Sequence, residues 1–288
     1  MNSPPLIPEG FHWNAAGYAA LSGPLARKYR DLDQCLLRLA ADLRADDCVF
    51  PSLLSLQDLI PIRYLHAFPH LATFVTHLPN DTAVIHDFAQ RHHSAGEIPS
   101  GSHFTPASQL LTPAACYHFY HRLADQDLSQ NLYLTTCCAC HRRESHYRPL
   151  ERQWCFHMRE LVCIGDAESV DRFLASCRTK INALVENLQL ETEWQMATDP
   201  FFAPATNPGA IAQMVAPIKQ ELVLEDGLAI ASSNRHGDHF GKAYCIRRNG
   251  EYAHSACVAF GLERWLAAFN RRYGRAVTSW PSLLEAIK

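Results

Sequence analysis

No stretch of this 288-residue chain is apolar for long enough to cross a bilayer, which takes about 20 consecutive apolar residues, so a membrane-spanning helix is excluded. The opening residues, MNSPPLIPEG, lack the charged-then-apolar order of an export signal. Runs of basic charge are missing too. Formal net charge is −3, and a protein that grips nucleic acid normally shows a basic patch or stripe. The densest basic cluster, Arg142 to Arg159, sits inside one compact motif. There is no internal repeat and no low-complexity tract.

What is present is cysteine, 11 of them, and 48% hydrophobic residues. That content supports one large or two modest domains with a proper core. An odd cysteine count without an export signal points to a reducing, cytoplasmic setting, where thiols are core residues or metal ligands. Cys35, Cys48, Cys163, Cys177 and Cys245 are read as small buried hydrophobes.

Apolar residues recur at helical spacing over 25–43, and Asp46-Asp47 is expected to end that helix. Residues 48–50 then predict a short strand running into Pro51. Residues 1–14 read as a flexible tail and 15–288 as one catalytic domain. The polar stretch 80–107 predicts a mobile surface loop. Residues 132–138 and 154–164 predict two strands around a polar turn. Residues 167–188 predict an extra amphipathic helix, 222–232 and 243–248 strands, and 257–271 a strand end, a glycine and a helix. Strands in the middle with helices around them predict an α+β fold, an antiparallel sheet flanked by helices.

The motif that carries most chemistry is Cys140 to Gly165. It holds Arg142-x-Glu144, then Arg152-x-x-x-Phe156, then Glu160. Further on, Gly261-Leu262-Glu263-Arg264 opens the last helix. A carboxylate attacking a triphosphate brings two anions together, so fixed cations must hold the charge. In order and spacing these segments resemble motifs 2 and 3 of the class II aminoacyl-tRNA synthetases, most closely the seryl enzymes. The helix–strand–proline run from 25 to 51 resembles motif 1, the dimer-interface element. The resemblance implies a class II synthetase-like catalytic core and a homodimer. It implies that Arg142 grips the ATP α-phosphate, Glu144 reads the adenine amino group, Phe156 stacks on adenine and Arg264 reaches the γ-phosphate. Arg152 joins the ATP set. Ser232 and Asn234 fall where seryl enzymes contact Mg-ATP. The family's magnesium-holding acid has no match, because Leu228 or Ala229 stands near its place; Glu221 and Glu225 lie upstream and could substitute.

Through Leu111-Thr112-Pro113-Ala114 the same resemblance brings Cys116, Glu160 and Cys257 together. These are good zinc ligands, and three protein ligands leave a position open for substrate. The trio resembles that of the zinc-dependent seryl synthetases of methanogens and of their short bacterial homologues, the amino acid–[carrier protein] ligases. A rival metal cluster is Cys137-Cys138-Ala139-Cys140-His141. A CxxC-type pair needs a turn, whereas these residues read as strand, where alternate side chains point to opposite faces. His236 and His239 read as surface or supporting polar residues.

The motif 1-like helix begins near Leu25, with no large tRNA-binding domain ahead of it, so tRNA is not the expected acceptor. The resemblance falls best on the carrier-protein ligases, through LLTPAACY, FHMRELVCIG, DPFF, SSNRHGDHFG and HSACVAFGLERW. It implies that glycine or alanine is activated with ATP and Mg2+ and loaded onto the phosphopantetheine thiol of a small acidic carrier protein. Arg172, Arg178 and Lys180 on the extra helix are candidates for pairing with that carrier. Transfer to tRNA and a non-catalytic paralogue stand as alternatives.

Overall fold

A computed structural model describes residues 7–91 and 103–286. Its centre is a seven-stranded sheet. The strands in chain order are β1 (Asp46–Cys48), β2 (Leu132–His141), β3 (Cys155–Gly165), β4 (Thr192–Met196), β5 (Lys219–Leu224), β6 (Ala229–Gly237) and β7 (His254–Gly261). They lie side by side in the order β4-β5-β6-β7-β3-β2-β1. All neighbours are antiparallel except the parallel pair β1/β2.

The alternation of side chains across β3 divides the molecule. Leu161 and Cys163 point to one face and are fully buried there. Three helices cover that face, and each has the apolar stripe that burial demands. Gly23–Asp42 brings Leu25, Leu32, Leu36 and Leu39; Ala167–Asn187 brings Val170, Phe173, Ile181 and Leu184; Leu262–Tyr273 brings Trp265, Leu266 and Phe269. Trp265 is wholly buried and its indole N–H bonds the Ile230 carbonyl at 2.9 Å. Truncating such a residue costs roughly 3–5 kcal/mol. Asp166 caps the second helix by accepting the Ser169 N–H. The other face of the sheet carries Phe156, Met158 and Glu160, and it forms the floor of a cavity. The antiparallel sheet flanked by helices is the α+β layout that the strand and helix patterns predict.

Several local expectations are corrected. Asp46 and Asp47 do not stop the first helix: it ends at Asp42, Arg44 turns the chain at φ 58°, and the two aspartates open β1. Residues 49 and 50 lie beyond that strand, and Val49 is 92% exposed. The expected tail is ordered from residue 11, where Phe11–Asn14 pairs with Tyr18–Leu21; residues 1–6 lie outside the described set. The expected loop over 80–107 contains the helix Thr82–Arg91, and its residues 92–102 lie outside the described set. The predicted strand over 243–248 is mostly the end of the helix His239–Ala243 and a turn, with strand pairing confined to Arg247–Arg248. Cys245 sits in that turn at φ 54° and is exposed, so it is no core residue. Among the described residues no helix is long and apolar enough to cross a membrane.

Candidate active site

The cavity has a volume of about 610 Å³. Strand register explains its floor. One row across the sheet pairs Lys219 with Asn234 and Asn234 with Cys257. The next row on the same face pairs Glu221 with Ser232, Ser232 with Ala259 and Ala259 with Glu160. The cavity wall adds the turn 113–116, the helix Tyr64–Ala67 and the segment from Asp199 to Gln213.

At one end the ligand atoms of Cys116, Glu160 and Cys257 all lie within 4.8 Å of one another, and all three residues are buried. It is the one such group of three or more metal-binding side chains among the described residues. Glu160 and Cys257 come from adjacent strands, and Cys116 comes from the turn ahead of the helix Tyr117–Arg122. Glu160 Oε1 accepts the backbone N–H of Ala115 at 2.7 Å and of Cys116 at 3.3 Å, which fixes that turn against the sheet. The Cys116 thiol is pushed up by its hydrogen bond to Cys257, by burial and by the Glu160 charge. Cys257 is also raised. Its contact with Cys116 pulls it down, but burial and the Glu160 charge outweigh that. Two thiols and a carboxylate crowded out of water form a donor set that a bound cation would relieve. The rival Cys137–His141 segment is strand throughout. Cys138 and Cys140 point into the same buried patch with sulfurs 3.8 Å apart, whereas Cys137 packs on the helix side.

The other end of the cavity is cationic. The Arg142 guanidinium lies 5.4 Å from the centre of the Phe156 ring, held by an Nε bond to the Pro113 carbonyl at 2.9 Å. Arg264 donates to the Glu151 carbonyl at 2.9 Å and the Ala229 carbonyl at 3.1 Å. Burial and then the nearby Arg142 charge push Arg264 down, while Glu221 works the other way. Cations that repel one another in a buried wall make a site suited to an anion. Glu144 is paired with Arg152 at 2.8 Å beside them. Gly261 lines this end with an ordinary φ of −81°. A methyl group there would meet only the Arg264 side chain at 3.6 Å, so glycine leaves open cavity and is not needed for a turn.

The structure gathers Arg142, Glu144, Arg152, Phe156, Glu160, Cys116, Ser232, Asn234, Cys257 and Arg264 around one cavity. Asn234, expected at the nucleotide, donates to the Cys257 sulfur at 3.4 Å and to the Ser232 hydroxyl at 3.2 Å. Of the two possible magnesium-holding acids, Glu221 lines the cavity and Glu225 does not. Arg172, Arg178 and Lys180 lie outside it and are engaged within the protein. Arg172 pairs with Glu168, Arg178 lies over Trp194 and bonds Gln220, and Lys180 bonds Asp42.

Sequence order gives no hint of two further contacts. Lys219, almost wholly buried, bonds the carboxylate of Asp199, which also accepts from Gln213 at 2.7 Å. His236, expected as a supporting polar residue, reaches the Cys257 sulfur at 3.6 Å. Burial pushes its pKa down to about 3, so the ring is neutral.

Amino acid–[acyl-carrier-protein] ligase 1 of Bradyrhizobium diazoefficiens is 32% identical over 246 residues, covering 83% of this chain and 74% of the relative. The chain belongs to the amino acid–[acyl-carrier-protein] ligase family. A type-2 serine–tRNA ligase of Methanococcus maripaludis is 25% identical over 285 residues, and there the match spans 55% of the relative. No protein-family model matches. Among solved structures, the M. kandleri SerRS in its complex with A. aeolicus tRNASec superposes with a TM-score of 0.83 at 23% identity, over 96% of this chain and 57% of that one. The fold of this ligase is therefore that of a class II aminoacyl-tRNA synthetase catalytic core.

Proposed function

We propose that this ligase activates a small amino acid, glycine or alanine, as an aminoacyl-adenylate and passes it to the phosphopantetheine thiol of an acidic carrier protein. One observation carries the reading: a cationic, aromatic end built from Arg142, Phe156 and Arg264 and a thiol–carboxylate end built from Cys116, Glu160 and Cys257 share one cavity.

ATP would lie with adenine on Phe156 and its phosphates toward Arg142 and Arg264. Glu221, facing Ser232 across the strand pair, is the carboxylate best placed to hold the accompanying Mg2+. Zn2+ held by Cys116, Glu160 and Cys257 would supply a Lewis acid for the substrate amino group. The substrate carboxylate is already ionised and needs no base. Its oxygen attacks the α-phosphorus, the bond to pyrophosphate breaks, and Arg142 meets the negative charge that develops. The carrier thiol, losing its proton, then attacks the acyl carbon. A thioester forms and AMP leaves.

The same reading includes a cytoplasmic homodimer. The likeness of residues 25–51 to the dimer-interface element of the class II synthetases supports the dimer, and the odd count of 11 cysteines supports the reducing setting. The test is amino-acid-dependent ATP–pyrophosphate exchange across all twenty amino acids, with and without a zinc chelator. Intact-mass analysis of a phosphopantetheinylated carrier and acid precipitation of tRNA would follow. Exchange with one small amino acid, lost on chelation, and a mass gain on the carrier are expected. Exchange with transfer to tRNA alone would move the acceptor. No exchange from folded, metal-loaded protein would mark a non-catalytic paralogue.

A further inference from the structure

We infer that His236 is a positioning residue for Cys257, orienting the thiol ligand of the metal site through an N–H donated to its sulfur; this rests on the metal site proposed above. The geometry around the ring is over-determined. Nε2 lies 3.6 Å from the Cys257 sulfur. Nδ1 lies 3.2 Å from the Tyr120 hydroxyl and 3.1 Å from the Ser255 hydroxyl. Bound to a metal, Cys257 would be a thiolate that can only accept, so the ring proton would sit on Nε2 and Nδ1 would accept from a hydroxyl. The ring plane is fixed as well: it meets Phe240 edge-on at 4.9 Å, and Phe240 in turn stacks on Tyr120 at 3.8 Å.

The backbone explains how a strand residue reaches that position. The pairing of β6 with β7 shifts register between Arg235 and Gly237, so His236 is the extra, unpaired residue of a bulge. A bulge re-aims a side chain, and here it leaves Gly237 at φ 59°, where glycine carries no strain. Asn234, two residues earlier, donates to the same sulfur at 3.4 Å. Two N–H groups from one strand thus converge on Cys257. They fix the direction of its lone pairs and draw charge from the sulfur, as supporting hydrogen bonds do in metal sites.

Two substitutions separate this role from simple packing. His236→Gln keeps an N–H near the place of Nε2. His236→Asn keeps a polar group beside Tyr120 and Ser255 but withdraws the donor from the sulfur. Zinc affinity would be read by competition with a chromophoric chelator. The thiolate-to-metal charge-transfer band would be read in Co2+-substituted protein, and thermal unfolding of the metal-free forms would be measured alongside. We expect His236→Asn to lose about 10- to 100-fold in zinc affinity and to shift the cobalt band, with His236→Gln close to wild type. If His236→Asn does not fold, Tyr120→Phe, which releases the ring, is expected to move affinity and band the same way by less. Wild-type affinity and an unchanged band in either of these variants would overturn the inference, and so would equal loss in the Gln and Asn variants. If the wild-type protein takes up neither Zn2+ nor Co2+, the inference falls with the metal site, while nucleotide-dependent exchange can still be scored independently.

Discussion

Glu160 holds Cys116 through the backbone: its Oε1 accepts the Cys116 N–H at 3.3 Å while the two side chains face the same point. The carboxylate is therefore both a candidate ligand and the anchor of the turn that delivers a second one. Replacing Cys116 by Ser removes a soft donor and leaves that anchor intact. The expected outcome is a folded protein with bound zinc near zero and exchange activity lost. Metal content by mass spectrometry checks it, with Cys138→Ser as a control that keeps its zinc.

In the proposed reaction Arg142 and Arg264 meet the negative charge that builds up during adenylate formation. Loss of one preorganised donor of this kind costs about 10²–10³ in rate. Arg142→Ala is expected to lower exchange by that factor with its unfolding midpoint little changed, measured by initial rates at saturating ATP and by calorimetry.

Glu221 pairs with Ser232 on the cavity floor, and in the proposed reaction it is the carboxylate that holds Mg2+. Glu221→Gln keeps the shape and removes the charge. The Mg2+ concentration giving half-maximal exchange should rise several-fold, and Glu225→Gln should leave it unchanged. A magnesium titration of the three proteins decides this.

Arg159 adjoins Glu160 in sequence but points to the helix side. Its guanidinium bonds Asp33 at 2.6 and 3.0 Å and Asp47 at 3.0 Å. Breaking a buried ion pair costs about 3–5 kcal/mol. Asp33→Ala should fall at the low end because Asp47 remains. Urea unfolding should show that loss while zinc content per folded molecule stays at the wild-type level.

His157 donates its backbone N–H to Glu263 and also meets that carboxylate through Nδ1 at 2.9 Å. Burial alone would lower the pKa of the imidazole, but the hydrogen bond and charge of Glu263 outweigh it and raise the value. A raised folded-state pKa means stability that is fully present below the unfolded value of about 6.5 and is lost as pH rises through the folded one. The contribution of His157 to the unfolding free energy should therefore decline as pH rises from about 6.5 through the folded-state value. His157→Gln should flatten that slope, as denaturant melts at several pH values would show.

The sequence alone carried the first helix, the long strand pair around residues 132–165, the extra helix and the final strand–glycine–helix, because each has an unbroken apolar period. It also named ten of the residues that line the cavity, through the order of the motifs they stand in. Where local patterns mislead, a competing interaction explains it. Asp46 and Asp47 are recruited to an edge strand, and Asp47 is also bound to Arg159. Residues 11–14 gain a hairpin partner that no period reveals. Only the tertiary structure decided which side of the sheet each motif residue serves, since one step along β3 separates Arg159 in the core from Glu160 in the cavity. Only it could join His236 to Cys257 and Lys219 to Asp199, or show that Arg172, Arg178 and Lys180 already have partners. Periodicity records what each element buries, but the meeting of side chains from different strands depends on register, and register is set by the packed sheet as a whole.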